Sequence, residues 1–324
     1  MTRLLSAFVL AWLALPSVQE PRGTAARSVE GDEELSLQVA LDRLAFSPGE
    51  IDGRAGQNTL RALEAFRQAR GLPAGGALDD DVRRELGEHL GQPWAEYTVT
   101  AADLAGPFTE SIPGDLMEQS ELPALGYTSA WEMLGERFHA SPRWLQTVNP
   151  DVTLEPGVRL RVPNVEPMLP PEHTGIRTTA NAVNAAATNQ VRLFVSASRH
   201  ALTVRDGTDN VVLYAPVTVG GAQDPLPTGA WTVVDVFDRP IFNYNPDLFW
   251  DADPSHAKAR IPPGPNNPVG LVWIDLDLEN YGVHGTPEPS RIGRSQSHGC
   301  VRLTNWDALR VAALVGRSTP VIFR

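Results

Sequence analysis

Three changes of pattern along the 324 residues predict a multidomain α+β protein. It would comprise a small three-helix domain, a βααβ unit, and a β-rich, sandwich-like C-terminal domain. Leucines recur at helical spacing from residue 35 to 90. Two capped helices followed by an alternating strand mark 94–163. Beyond 190, short apolar runs alternate with turn signals and a single late helix. The length allows two or three domains. A composition that is 42% hydrophobic and 20% charged supplies enough apolar material for a core.

In the first helical unit, Leu37, Leu41 and Leu44 share a face, and turns follow at Ser47-Pro48-Gly49 and Asp52-Gly53. Asn58 or Thr59 can cap a second helix with Leu60, Leu63 and Phe66 on one side. Asp79 can start a third, carrying Val82, Leu86 and Leu90. In 94–163, Ser129 and Glu132 have capping-box spacing ahead of Trp131, Leu134 and Phe138. Ser141-Pro142 starts another helix that stops at Asn149-Pro150. Val158, Leu160 and Val162 alternate as a strand. Residues 164–189 are rich in Pro, Thr, Asn and Ala and read as a linker that lets the front units dock separately.

From 190 to 324, Val191, Leu193 and Val195 open a series of strands. Leu202–Val204, Val211–Tyr214, Pro216–Val219, Trp231–Val236, Val272–Leu276 and Val321–Phe323 continue it. Asn305 or Asp307 can start the one helix, with Leu309, Ala312 and Ala313 as its apolar side and Gly316 as its stop.

At the N-terminus, Arg3 precedes an apolar run from Leu4 to Leu15 that ends at Pro16. That run has the length of a signal-peptide core and is short for a membrane span. A signal peptide over 1–26 is expected, with Thr24-Ala25-Ala26 a better cleavage site than Ser17-Val18-Gln19. An uncleaved anchor is the alternative. The net charge of −12 argues against a nucleic-acid partner, which would need a basic face.

Cys300 is the only cysteine, and an exported chain with one thiol keeps it buried or keeps it for its chemistry. Here it stands between Gly299 and Val301, with His298 two residues back and His284 sixteen back. An imidazole can turn a thiol into a nucleophilic thiolate, and glycine beside the sulfur lets a carbonyl approach and leaves amides to bind an oxyanion. Three zinc ligands, His284, His298 and Cys300, are the competing interpretation, but no paired Cys-x-x-Cys or His-x-x-x-His accompanies them.

His284-Gly285, an eleven-residue spacer and Ser297-His298-Gly299-Cys300-Val301-Arg302 resemble the signature of the YkuD-type L,D-transpeptidase catalytic domain. The resemblance implies acyl transfer between peptidoglycan stem peptides through a Cys300 thioester, with release of D-alanine and no cofactor. It makes His284 the base, oriented by the Gly285 carbonyl, in preference to His298. His298, Gly299 and Cys300 would offer backbone amides to the oxyanion, and Ser297 would be a hydrogen-bonding residue. Arg302 would hold the loop or bind a substrate carboxylate. It also implies a bacterial periplasm or cell wall, and inhibition by carbapenem-type β-lactams. The acceptor stays open between a second stem, an outer-membrane lipoprotein and a free D-amino acid. A carboxypeptidase or crosslink-cleaving hydrolase on the same stems is the alternative activity.

Residues 35–90 resemble a peptidoglycan-binding domain through Leu37-Gln38, Leu41, Ile51-Asp52-Gly53, Gly56, Thr59, Phe66, Gly71-Leu72 and Leu86. Arg67 replaces a usual Gln. Residues 94–163 resemble a LysM module through Phe138, Leu145, Asn149-Pro150, Pro156-Gly157 and Leu160-Arg161-Val162-Pro163. Its opening departs from the pattern, because a proline-containing stretch separates Tyr97-Thr98-Val99 from the helix.

Overall fold

The computed structural model describes residues 29–168 and 191–324. The expected signal peptide and the expected linker from 169 onward lie outside the described residues.

Helix α1 (Val29–Arg43) packs on α2 (Gln57–Ala69) and α3 (Asp80–Leu86), and Leu37, Leu41, Leu63, Phe66, Val82 and Leu86 share one core. Asp79 caps α3, its carboxylate accepting the Val82 amide hydrogen at 3.1 Å. Helix α2 begins one residue before the expected caps, with Gly56 at its N-cap. Asn58 has another partner, donating from Nδ2 to the Ile292 carbonyl at 2.9 Å. Leu60 is 36% exposed, off the expected face, because positions 60 and 66 lie about 120° apart around a helix of 3.6 residues per turn. Buried Gln38 ties α1 to the following turn, accepting from the Gly53 amide at 2.8 Å and donating to Thr59.

Strands β1 (Trp94–Thr98) and β2 (Arg159–Pro163) pair antiparallel, with Trp94 opposite Pro163. Four helices lie between them, where two were expected: α4 (Ala101–Leu104), α5 (Leu116–Ser120), α6 (Ala130–Arg137) and α7 (Pro142–Val148). Ser129 and Ser141 cap α6 and α7 by accepting from the Glu132 and Trp144 amides. Asn149 then clips α7 to β2. Its Nδ2 donates to the Leu145 and Arg161 carbonyls, and its Oδ1 accepts from the Arg161 amide at 2.8 Å. The proline-containing stretch that breaks the opening pattern carries α5 and reaches to the C-terminal domain. There the Leu125 amide donates to the Pro263 carbonyl, and Leu125 packs with Tyr244 and Ile261.

The C-terminal domain contains β3 (Arg192–Ser196), β4 (Ala201–Arg205), β5 (Val211–Pro216), β6 (Gly229–Asp238), β7 (Phe242–Tyr244), β8 (Ala259–Ile261), β9 (Val272–Leu276), β10 (Gly282–His284), β11 (Val301–Arg302), α8 (Asn305–Leu314) and β12 (Pro320–Phe323). Strands β7 and β8 form their own pair. The other eight form one mixed sheet in the order β11-β10-β9-β6-β12-β3-β4-β5. This differs from two separate layers of a sandwich. Strand β6 pairs with β12 through residues 229–232 and with β9 through 233–238, with a bulge between Val233 and Asp235, and a bulge bends a sheet. Val195 and Leu202 from one half and Ile274, Val283 and Val301 from the other then share one core. Past β5, Thr218 exchanges both backbone hydrogen bonds with Arg302 on β11, at 3.0 and 2.8 Å. The sheet therefore comes round to its own first strand, covering an edge that would otherwise lie open.

Helix α8 starts from Thr304, whose hydroxyl accepts the Asp307 amide hydrogen, one residue ahead of the expected caps. It buries Trp306, Ala308, Val311 and Ala312.

The front units are not beads on a tether. Met168, inside the expected linker, is buried against Leu271 and Trp306. Ser47 donates to Asp307 Oδ2 at 2.7 Å. Arg310 forks onto Asp42 at 2.8 and 3.1 Å, and Asp42 also faces His139 Nδ1. One residue from each of the three units thus meets in a buried polar junction, which corrects the expectation of separately docking modules.

Candidate active site

Strands β10 and β11 run parallel, with Val283 beside Val301 and His284 beside Arg302. Val283 and Val301 are fully buried in the core. Side chains alternate along a strand, so His284, Arg302 and, one step before β11, Cys300 belong to the opposite face. The core valines thereby set the direction of the reactive groups.

His284 is 3% exposed, and its Nδ1 lies 2.7 Å from the Gly285 carbonyl oxygen. A carbonyl only accepts, so Nδ1 carries the proton and Nε2 keeps its lone pair. Trp273 stacks on the ring at 5.4 Å and 20°. Burial, with the Arg302 charge second, lowers the His284 pKa to about 3. The imidazole is therefore neutral at rest.

Cys300 is half-buried, and its Sγ donates to the Asn280 carbonyl at 3.6 Å. Burial pushes the thiol up, against opposing pulls from the Gly282 amide and the Arg302 charge. Ser297 is buried and donates to the Cys300 carbonyl at 2.6 Å, while its own amide donates to Val219. Gly299 has φ +107°, a conformation suited to glycine, and an added Cβ would lie 3.0 Å from the Tyr281 ring.

His298 faces elsewhere. Its Nε2 lies 2.7 Å from Asp251 Oδ1, and its ring meets Phe249 and Trp250 at 5.1 and 5.7 Å. All three partners come from the segment between β7 and β8. With His298 on Asp251 and His284 on Gly285, the three would-be zinc ligands do not converge, and no metal-holding group of His, Cys, Asp or Glu occurs among the described residues. Arg302 is committed through its backbone to Thr218, whereas its side-chain Nε is buried with no hydrogen-bond partner among the described residues.

Sequence reasoning missed Asp251, Phe249, Trp250, Trp273 and Asn280. The aromatic pair before Asp251 was the available signal, but nothing local tied it to His298, 47 positions away. A small cleft opens where the helical unit meets the segment after His284, lined in part by Glu50, Asn58, Ser290 and Arg294.

Residues 190–323 match the model of the YkuD L,D-transpeptidase catalytic domain, and residues 30–86 match a "Putative peptidoglycan binding domain". The chain is 44% identical over 59 residues to the "Putative L,D-transpeptidase YkuD" of Bacillus licheniformis, covering 18% of this chain and 36% of that one. It is 28% identical over 149 residues to the "Probable L,D-transpeptidase YbiS" of Escherichia coli K12, covering 45% and 48%. A solved structure of L,D-transpeptidase 3 from Mycobacterium tuberculosis, in complex with a faropenem-derived adduct, is 23% identical. It covers 42% of this chain and 60% of that one, with a TM-score of 0.34. The chain spans roughly a third to a half of the length of these curated relatives. It carries an L,D-transpeptidase catalytic domain and a peptidoglycan-binding domain. Among the described residues no helix is long and apolar enough to cross a membrane.

Proposed function

We propose that the chain is an exported L,D-transpeptidase that crosslinks peptidoglycan stems through a Cys300 thioester. The observation that carries the reading is the β10–β11 pairing. It puts His284 beside Arg302, two residues after Cys300, and the Gly285 carbonyl against Nδ1 supports Nε2 as the nitrogen that takes the proton.

In this reading the thiol attacks the carbonyl between the third residue of a tetrapeptide stem and its terminal D-alanine. The S–C bond forms as the thiol proton passes to His284 Nε2. The C–N bond then breaks, and the departing D-alanine amine takes that proton. An amine of a second stem attacks the thioester, gives its proton to His284, and the sulfur leaves and is reprotonated. The amides of His298, Gly299 and Cys300 are the oxyanion donors, and the turn at Gly299 supports that role. Arg302, whose buried Nε has no hydrogen-bond partner among the described residues, is read as a holder of substrate carboxylate.

The matched domain over 30–86 supports binding to the wall, and residues 94–163 are read as a LysM-like companion. An outer-membrane lipoprotein is a further candidate acceptor. A carbapenem, as a strained acyl donor, would acylate the same thiol.

The test is to incubate the protein with tetrapeptide muropeptides and follow products by mass spectrometry. Crosslinked dimers with loss of D-alanine are expected, and Cys300→Ala should form none. Tripeptides and free D-alanine without dimers would replace this reading with the carboxypeptidase. Unchanged tetrapeptides, or dimers from Cys300→Ala, would overturn it.

A further inference from the structure

The Gly285 carbonyl that orients His284 is buttressed from outside the catalytic domain. We propose that Glu136, on α6 of the preceding unit, is a positioning residue for His284, acting through Asn305 and Gly285. The proposal rests on the reading of His284 as the base.

Asn305 opens α8 and is fully buried. Its Oδ1 accepts from the Leu271 amide at 3.1 Å and fills the slot between Gly270 and Gly285. A Cβ added at either glycine would lie 2.1 or 2.2 Å from that oxygen, so the backbone that bears the orienting carbonyl rests directly on this side chain. The other end of the amide points at the front unit. Nδ2 donates to both Glu136 carboxyl oxygens, at 3.0 and 3.2 Å, and to the Pro265 carbonyl at 3.2 Å.

An asparagine amide has two ends of similar shape and opposite polarity. Turned over, its NH₂ would face the Leu271 amide, donor against donor, and its oxygen would face Pro265. Glu136 adds acceptors on the NH₂ side and fixes one orientation. Tyr127, from the same unit, donates to Glu136 Oε2 at 3.1 Å and holds the carboxyl in place. Burial pushes the Glu136 carboxyl up to about 8, so near neutral pH it accepts from Asn305 without putting a full charge behind the site. The attachment of that unit has separate contacts of its own, where the Leu125 amide donates to the Pro263 carbonyl and Asn266 Nδ2 donates to the Gly126 carbonyl.

The test uses the full chain with Glu136→Ala, Glu136→Gln and Tyr127→Phe. Two quantities are read: the His284 Nδ1–H resonance by ¹⁵N–¹H NMR, and the rate of acyl-enzyme formation with a tetrapeptide, separated from its apparent affinity. Glu136→Ala should shift the resonance and lower the acylation rate about tenfold, as expected for a base moved by a fraction of an ångström, with affinity unchanged. Glu136→Gln, which restores an acceptor, should recover both. Tyr127→Phe should shift the resonance the same way by less, and keeps the proposal testable if Glu136→Ala does not fold. An unchanged resonance in folded Glu136→Ala or in Tyr127→Phe would overturn it, as would a Gln variant as impaired as Ala. A resonance that responds in a protein that forms no acyl-enzyme would uphold the positioning role and sink the proposed function.

Discussion

Two buried clusters of ionisable groups, one at the junction of the three units and one at the β10–β11 site, solve the same problem in opposite ways. At the junction, burial alone would push Asp42 up, but the charges and hydrogen bonds of Arg310 and His139 outweigh it and hold the carboxyl well below its usual range. Asp42 and Arg310 stay charged because they meet in hydrogen-bonding geometry. At the site, burial is the largest influence on both groups and outweighs the opposing backbone hydrogen bonds, to Gly285 and Val269 at His284 and to Gly282 at Cys300. His284 is held far below and Cys300 above their ordinary values. The difference is the number of partners. At the junction Asp42 and Arg310 close on each other and serve attachment. The site has spare capacity in Arg302 Nε, buried with no hydrogen-bond partner among the described residues, as expected where a substrate completes the network.

The largest effect should come from removing the base. His284→Ala should lose about two to four orders of magnitude in acylation rate, measured by intact-protein mass spectrometry over time. His298→Ala should lose much less, because its ring is on Asp251. A greater loss at His298 would break the contrast and reverse the two roles. A smaller effect of a different kind belongs to the junction. Asp42→Ala takes the hydrogen-bonded carboxylate from Arg310 and leaves it only Asp307, at 3.8 Å, and removing one partner of a buried pair typically costs about 3–5 kcal/mol. Arg310 retains some solvent contact, with 21% side-chain exposure, so the lower end is expected in denaturant unfolding. A change below about 0.5 kcal/mol, the range of ordinary surface substitutions, would show that the junction does not hold the units together.

What was legible in the chain was local. The caps at Asp79, Ser129 and Ser141 and the alternating runs of β3, β4 and β9 are each written within a few residues. The spacing of His284 and Cys300 was legible too, as a motif. Their common face depends on the β10–β11 register, which no periodicity in two- and three-residue strands can announce. The closing of the sheet at Thr218 and Arg302 was hidden for a similar reason, since it hangs on one bridge after the end of β5. The arm through α5 has no helical period across its prolines and read only as an interruption. Glu136 and Asn305 are 169 positions apart, and Asn305 read only as a candidate start of the late helix.

In the proposed mechanism the site rests neutral, as thiol and imidazole, and the proton moves only when a substrate arrives. The direct measurement is the rate of Cys300 alkylation by iodoacetamide as a function of pH, counted as a single mass adduct on the only thiol in the chain. Because burial raises the thiol, the protonated form should persist as pH increases. The rate should then keep rising through and beyond the ordinary thiol value of about 8.5, without a plateau at acid pH. A rate already at its plateau near pH 6 would reveal a resting thiolate paired with an imidazolium, and would contradict the account.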